Sequence, residues 1–161
     1  MSAPLSIRAA APDDIPLILQ MVGELALYER EPEAAQASAA QMQRALFDDG
    51  HVAHALICEQ AGQALGFALY FHNFSTWTGR KGIYLEDLFV RDTHRGKGAG
   101  KALLQYIAQL AVEQGCGRFE WAVLDWNTPA IDFYKACGAR PMDEWTVFRL
   151  DGRALADFAA R

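Results

Sequence analysis

The sequence predicts a mixed α/β fold, a central sheet with an antiparallel front half and a βαβ-like back half, flanked by helices. Three observations carry this. Strand-like runs at 52–59, 65–73 and 82–90 follow one another closely, and consecutive strands pair most economically as an antiparallel meander. A helical stripe of Leu103, Leu104, Ile107 and Ala111 then separates the third run from another strand-like run at 118–124. The chain has 161 residues, 52% hydrophobic and 22% charged, which is ordinary globular usage and enough for one core. Residues 1–161 are therefore expected to form a single domain.

In chain order, Ser6 to Arg8 reads as a short first strand. Asp13 or Asp14 is positioned to cap a helix whose first turn holds Pro16, where proline is tolerated. Ile15, Ile18, Leu19, Val22, Leu25 and Ala26 give that helix one buried stripe, which stops near Tyr28 and Glu29. A second helix is expected over 38–48, ended by Asp49 and Gly50. The three strands follow, the first two joined by the turn Ala61-Gly62-Gln63. The helix opening near Gly98 ends at Gly115. Asn127 caps a short helix over 127–137, with Pro129 in its first turn and Gly138 just beyond. A last strand is expected at 145–150, then a frayed C-terminal helix. No repeat, low-complexity tract or linker interrupts the order.

Composition narrows the function. Fifteen Lys and Arg against twenty Asp and Glu leave a net charge of −5, with no basic cluster, so nucleic acid is not an expected partner. An acidic chain is compatible with a cationic substrate. No window of 18 uncharged apolar residues suggests a membrane span, and the N-terminal residues lack a basic start followed by an apolar run. Cys58, Cys116 and Cys137 are odd in number and form no Cys-x-x-Cys motif. Free thiols in a cytoplasmic protein are the expectation.

The strongest local signal is Arg95-Gly96-Lys97-Gly98-Ala99-Gly100, followed by Lys101, between a strand and an amphipathic helix. Glycines leave backbone N–H groups open to an anion, the helix N-terminus adds its positive dipole, and Arg95, Lys97 and Lys101 add full charge. A Walker A loop would need Ser or Thr where Ala102 stands, and a dinucleotide fingerprint would need glycine at 99 or 101. From the loop alone two readings stand, a pyrophosphate cradle and a glycine-rich turn that only opens a helix.

Arg95-x-x-Gly98-x-Gly100, after a strand ending Leu88-Phe89-Val90, resembles the coenzyme-A loop of the GNAT acetyltransferases. Further segments resemble the diamine (spermidine/spermine) N-acetyltransferase branch, which includes members preferring thialysine. They are Leu25-Ala26-Leu27-Tyr28-Glu29, Tyr84-Leu85-Glu86-Asp87-Leu88-Phe89-Val90, Trp126-Asn127-x-Pro129 and Phe133-Tyr134-Lys135-x-x-Gly138-Ala139. The resemblance covers about residues 5 to 150. It implies the GNAT acyl-CoA N-acyltransferase fold, acetyl-CoA as donor, a primary amine of a small molecule as acceptor, a homodimer, and direct attack within a ternary complex without a covalent acyl-enzyme.

The same resemblance implies roles for single residues. Tyr134 is placed as general acid for the departing thiolate, its ordinary phenol being protonated at neutral pH; a ring buried beside Phe133 is the structural alternative. Glu86 is placed at the substrate amine, able to relay its proton through water. Glu86 and Asp87 are acids inside an apolar strand, so each needs a partner or a function, and strand alternation sends them to opposite faces. Asp87 is left without an assigned role. Tyr28 and Glu29 are placed as substrate contacts, or else form a solvated helix end. Leu88, Phe89 and Val90 are expected to offer backbone groups to the acetyl and pantetheine parts, and Gly96, Lys97, Gly98, Ala99, Gly100 and Lys101, with Arg95, to hold the pyrophosphate. Asn127 and Ala130 fall where family members touch coenzyme A, although capping also explains Asn127. Glu120 and Asp143 are candidate acceptor contacts. Trp77 suits either a substrate mouth or a loop anchor. His51, His54 and Cys58 make a poor metal site, because 51 and 54 on one strand would point to opposite faces.

Acceptors other than small diamines stay open, namely an amino acid, an aminoglycoside-like drug or a protein lysine. So does a non-catalytic coenzyme-A sensor.

Overall fold

The computed structural model describes residues 3–160. The chain divides into two compact units between Ala122 and Val123. The first holds a five-stranded sheet in sequential order: β1 (Leu5–Ala9), β2 (His54–Gln60), β3 (Gln63–Ser75), β4 (Arg80–Val90) and β5 (Phe119–Trp121). β1 to β4 pair antiparallel and β4 with β5 parallel, which is the expected antiparallel front and βαβ-like back.

Two helices belong to one sheet face, α1 (Ile15–Tyr28) and α2 (Ala39–Leu46). The apolar stripe of α1 buries Ile15, Ile18, Met21 and Leu25 against Ala53, Ala55, Ile57, Phe67 and Phe89 of the sheet side, with Met42 and Leu46 from α2. α3 (Ala99–Glu113) crosses between β4 and β5 on the other face and buries Leu103, Leu104, Ile107 and Ala111. α2 opens with a capping box: the Ser38 hydroxyl accepts from Gln41 N at 3.2 Å and Gln41 Oε1 accepts from Ser38 N at 2.8 Å.

Asp14 precedes α1 as expected but makes no cap bond to it. Its carboxylate instead receives both Nη groups of Arg8, at 2.7 and 2.8 Å, and the Ala11 N–H at 2.7 Å. The same guanidinium reaches Glu59 at 3.0 Å. A bidentate arginine pair outweighs a single cap bond, and it ties β1 to β2 and to the start of α1. Two residues beyond α1, Arg30 takes the left-handed conformation at φ 65° while its N–H bonds Leu27 O at 3.1 Å.

The second unit holds α4 (Thr128–Ala136) and α5 (Gly152–Ala159). The strand expected at 145–150 is absent: those residues are irregular. Apolar alternation specifies a strand only where a neighbouring edge takes up its backbone hydrogen bonds. The run expected at 118–124 is likewise trimmed to three residues. β5 keeps register with β4 only over Ile83, Tyr84 and Leu85.

Candidate functional site

β4 changes character immediately after Leu85. Tyr70 of β3 pairs with Leu85 and Leu69 with Asp87, so Glu86 is the extra residue of a bulge. A bulge bends a strand and re-aims its side chains. It breaks the alternation that would send Glu86 and Asp87 to opposite faces. The pairing with β5 also stops at Leu85, opposite Trp121, so the β5-side edge of 86–90 pairs with none of the five strands. Leu88, Phe89 and Val90 therefore carry backbone hydrogen-bonding groups that the sheet does not consume on that side.

The bulge gathers acids. Asp87 is half-buried, and burial first, then the charges of Glu86 and Glu29, push its carboxyl up to about 6. Glu29 follows the last residue of α1 and is half-buried; burial raises its carboxyl as well. Tyr84, opposite Glu120 on β5 and Phe71 on β3, has its phenol raised by burial and by the charges of Glu86 and Glu120. Glu86 itself is exposed on the bulge. The negative end of the α1 dipole adds to this field. An environment in which carboxyl groups hold their protons more tightly is one that a cation would relieve.

Beyond β4 the chain enters the glycine loop. Gly96 and Gly98 take the left-handed conformation, φ 81° and 84°, and Gly98 is the N-cap of α3 with no side-chain cap bond. The first N–H groups of a 15-residue helix are thus not taken by a cap, and Lys97 and Lys101 stand beside them. Gly100 packs beside the strand end: a Cβ there would meet Val90 Cγ2 at 3.7 Å, an ordinary contact. Arg95 is tied to the strand end. Its Nε donates to Val90 O at 3.2 Å, its Nη1 pairs with exposed Asp92 at 2.7 Å, and its guanidinium stands 4.5 Å from the centroid of the Tyr28 ring and 6.0 Å from that of Phe89. Tyr28 thus meets a cation belonging to the loop.

The first unit brings together Tyr28, Glu29, Glu86, Glu120, the end of β4 and residues 95–101. Four further candidates belong to the second unit. Asn127 caps α4, its Oδ1 accepting from Ala130 N at 3.4 Å, as capping predicts. Tyr134 lies on α4 with its ring 5.6 Å from that of Phe133. Asp143 lies in a turn closed by Trp145 N to Met142 O at 3.1 Å. Trp77, in the β3–β4 turn of the first unit, is exposed.

The structure adds two features the sequence leaves unassigned, the raised carboxyl of Asp87 and the Arg95 contact with Tyr28. Only the first has a sequence signal, an acid followed by Leu88-Phe89-Val90. Beside the Glu86–Asp87 alternation, it corrects a second expectation. His51 precedes β2, so no strand alternation separates it from His54, and their rings lie 5.2 Å apart. His54 in turn stacks on Tyr70 at 5.1 Å and meets His72 at 5.6 Å. Among the described residues no group of three or more His, Cys, Asp or Glu side chains is placed to hold a metal ion. None of the described helices is long and apolar enough to cross a membrane.

Comparison with known proteins points the same way. The sequence model of the acetyltransferase (GNAT) family matches residues 19–139. A thialysine N-epsilon-acetyltransferase of Sus scrofa is 37% identical over 170 residues, covering 99% of each chain. An L-ornithine N5-acetyltransferase of Arabidopsis thaliana is 48% identical over 90 residues, covering 56% of this chain and 40% of its own. Among solved structures, an integron cassette protein from the mobile metagenome of V. cholerae superposes with a TM-score of 0.82 at 27% identity, covering 98% of both chains.

Proposed function

From the premise that this chain belongs to the GNAT family of acetyltransferases, we propose that it transfers the acetyl group of acetyl-CoA to the primary amine of a small cationic acceptor. Polyamines, diamines and amino acids with a side-chain amine, such as thialysine and ornithine, form the acceptor class. The observation that carries the reading is the carboxyl of Asp87, raised to about 6 on a bulged strand beside Glu86 and Glu29. An ammonium group drawn into that field is stabilised by it, and its proton has an acceptor nearby.

The donor side follows from the loop. Acetyl-CoA supplies the acyl group when bound. Arg95, Gly96, Lys97, Gly98, Ala99, Gly100 and Lys101 hold its pyrophosphate by backbone N–H groups, the α3 dipole and three cations. A phosphate outcompetes exposed Asp92 for Arg95, because a surface ion pair is worth little. The open edge of Leu88, Phe89 and Val90 offers backbone donors to the acetyl and pantetheine parts. Asn127 and Ala130 add contacts at the start of α4.

The acceptor amine must lose a proton before its lone pair can form the new C–N bond. Tyr28, Glu29, Glu86, Glu120 and Asp143 bind the cationic acceptor. Glu86 meets the amine, with Asp87 as the proton acceptor, directly or through water. As the C–S bond breaks, Tyr134 gives its phenolic proton to the thiolate. The two units act as one catalytic domain, in a homodimeric cytoplasmic protein; these parts rest on resemblance to the family branch.

The test is coenzyme-A release from acetyl-CoA against thialysine, ornithine, putrescine, spermidine, an aminoglycoside and a lysine peptide. Turnover on the small diamines or amino acids is expected. Turnover only on the drug or the peptide would move the acceptor class. Tight acetyl-CoA binding with no turnover on any amine would make the protein a sensor.

A further inference from the structure

The ring of Tyr28 carries the guanidinium of Arg95, 4.5 Å from its centroid. These residues come from different sides of the site. Tyr28 closes α1 beside the acids, and Arg95 opens the glycine loop. We propose that Tyr28 is a positioning residue for the donor loop. Its ring seats Arg95, and through Arg95 it sets the affinity for coenzyme A. This rests on reading residues 95–101 as the donor site.

The geometry supports a seat rather than a chance approach. Two further contacts fix the same guanidinium, Nε donating to Val90 O at 3.2 Å and the Phe89 ring lying 6.0 Å away, while its Nη1 pair with exposed Asp92 at 2.7 Å is the one a phosphate replaces. Val90 O holds Arg95 to the end of β4, and Phe89 and Tyr28 supply the aromatic floor. Tyr28 is the last residue of α1, and the two residues after it keep the helix end closed, Glu29 N donating to Leu25 O at 2.9 Å and Arg30 N to Leu27 O at 3.1 Å. A loose arginine would lose part of its phosphate affinity in being ordered; one already seated has less to lose. Tyr28 thereby links the amine-binding end of α1 to the phosphate-binding loop without itself reaching a phosphate. Binding linkage is reciprocal, so a ligand that fixes Tyr28 also favours donor binding.

The test is calorimetric titration of the full chain with coenzyme A, in the absence of any amine. Tyr28→Leu removes the π face and keeps an apolar side chain; Tyr28→Phe keeps the face and loses the hydroxyl. Tyr28→Leu is expected to weaken coenzyme-A binding about two- to fivefold, the range of an exposed cation–π contact, while Tyr28→Phe stays within about twofold of wild type. In an Arg95→Gln background, Tyr28→Leu is expected to have no further effect, because its target has gone. Thermal midpoints within a few degrees of wild type establish that each variant is folded; a merely structural loss would not depend on Arg95. Wild-type affinity in Tyr28→Leu, or an undiminished loss in the Arg95→Gln background, overturns the proposal. The titration contains no acceptor, so a wrong acceptor class leaves its result untouched. A wild-type chain that takes up no coenzyme A overturns both this proposal and the donor reading.

Discussion

Asp87 stands opposite Leu69 in the β3–β4 ladder, while their neighbours Leu85 and Tyr70 face each other, so Glu86 is left without a partner in that ladder. That one-residue mismatch does two things. It turns Asp87 onto the face where Leu69 packs against the α1 core, bringing it near Glu29. It also coincides with the end of β5, leaving the strand edge open where the donor's acyl end is proposed to lie.

Asp87 carries a stability cost that depends on pH. In the unfolded chain the carboxyl ionises near 3.9, and in the folded chain near 6. The folded state holds a proton between those values, so stability falls as pH rises from about 4 to about 6, and the cost is complete above that. Asp87→Asn removes it. The variant is expected to be more stable than wild type at pH 8 by up to about 3 kcal/mol, the difference closing near pH 4. Urea midpoints at the two pH values check this; a variant less stable than wild type at pH 8 contradicts it.

Asp14 has the opposite sign. The Arg8 guanidinium, with help from the Ala11 N–H, holds its carboxyl below the usual range. Its contribution is present above about pH 4 and lost as pH falls through the lowered folded value. Asp14 has only 13% of its side chain exposed. Asp14→Asn is expected to cost about 1–3 kcal/mol at pH 7, with the gap to wild type narrowing below pH 3. Denaturant titrations along the acid limb measure it.

Gly66 of β3 pairs with Val90 of β4. A Cβ there would collide with Phe89 O and lie 3.1 Å from Val90 Cα, both backbone atoms that cannot swing away. Gly66→Ala is expected to cost about 1–3 kcal/mol and to weaken coenzyme-A binding by displacing Phe89 and Val90. Gly23, inside α1, would bring an added Cβ within 4 Å of no atom beyond its own helix backbone and chain neighbours. Gly23→Ala is expected to be neutral or to stabilise by about 0.5–1 kcal/mol. Equal midpoints for the two variants would refute the close-approach argument.

Tyr134→Phe removes the proposed proton donor and keeps the aromatic ring that stands 5.6 Å from that of Phe133. It is expected to keep coenzyme-A affinity and to lower kcat by about 100-fold or more. Single-turnover rates beside binding titrations separate the two effects, and an unchanged chemical step would remove Tyr134 from the role.

Much of this fold is legible in the chain itself. The α1 and α3 stripes, the meander and the glycine loop all follow from local pattern, because their burial repeats at the period of their backbone. The bulge at Glu86 does not. Nothing in Tyr84-Leu85-Glu86-Asp87 marks which residue leaves the ladder, since register is settled by pairing with β3. The pairing of Arg95 with Tyr28 is hidden for a similar reason, being a contact between segments 67 residues apart in number. Val52 shows the reverse: the strand-like run at 52–59 begins with it, yet the strand begins only at His54. Residues 145–150 also have strand-like composition, but composition supplies no partner edge.

The most direct test of the proposed chemistry is the pH dependence of kcat/KM for thialysine between pH 5 and pH 9, in wild type and Asp87→Asn. The expected wild-type profile has an acid limb with a midpoint near the raised Asp87 value of about 6, and the variant is expected to be about 100-fold slower or more, with that limb gone. A variant that keeps both the wild-type rate and the limb would contradict it.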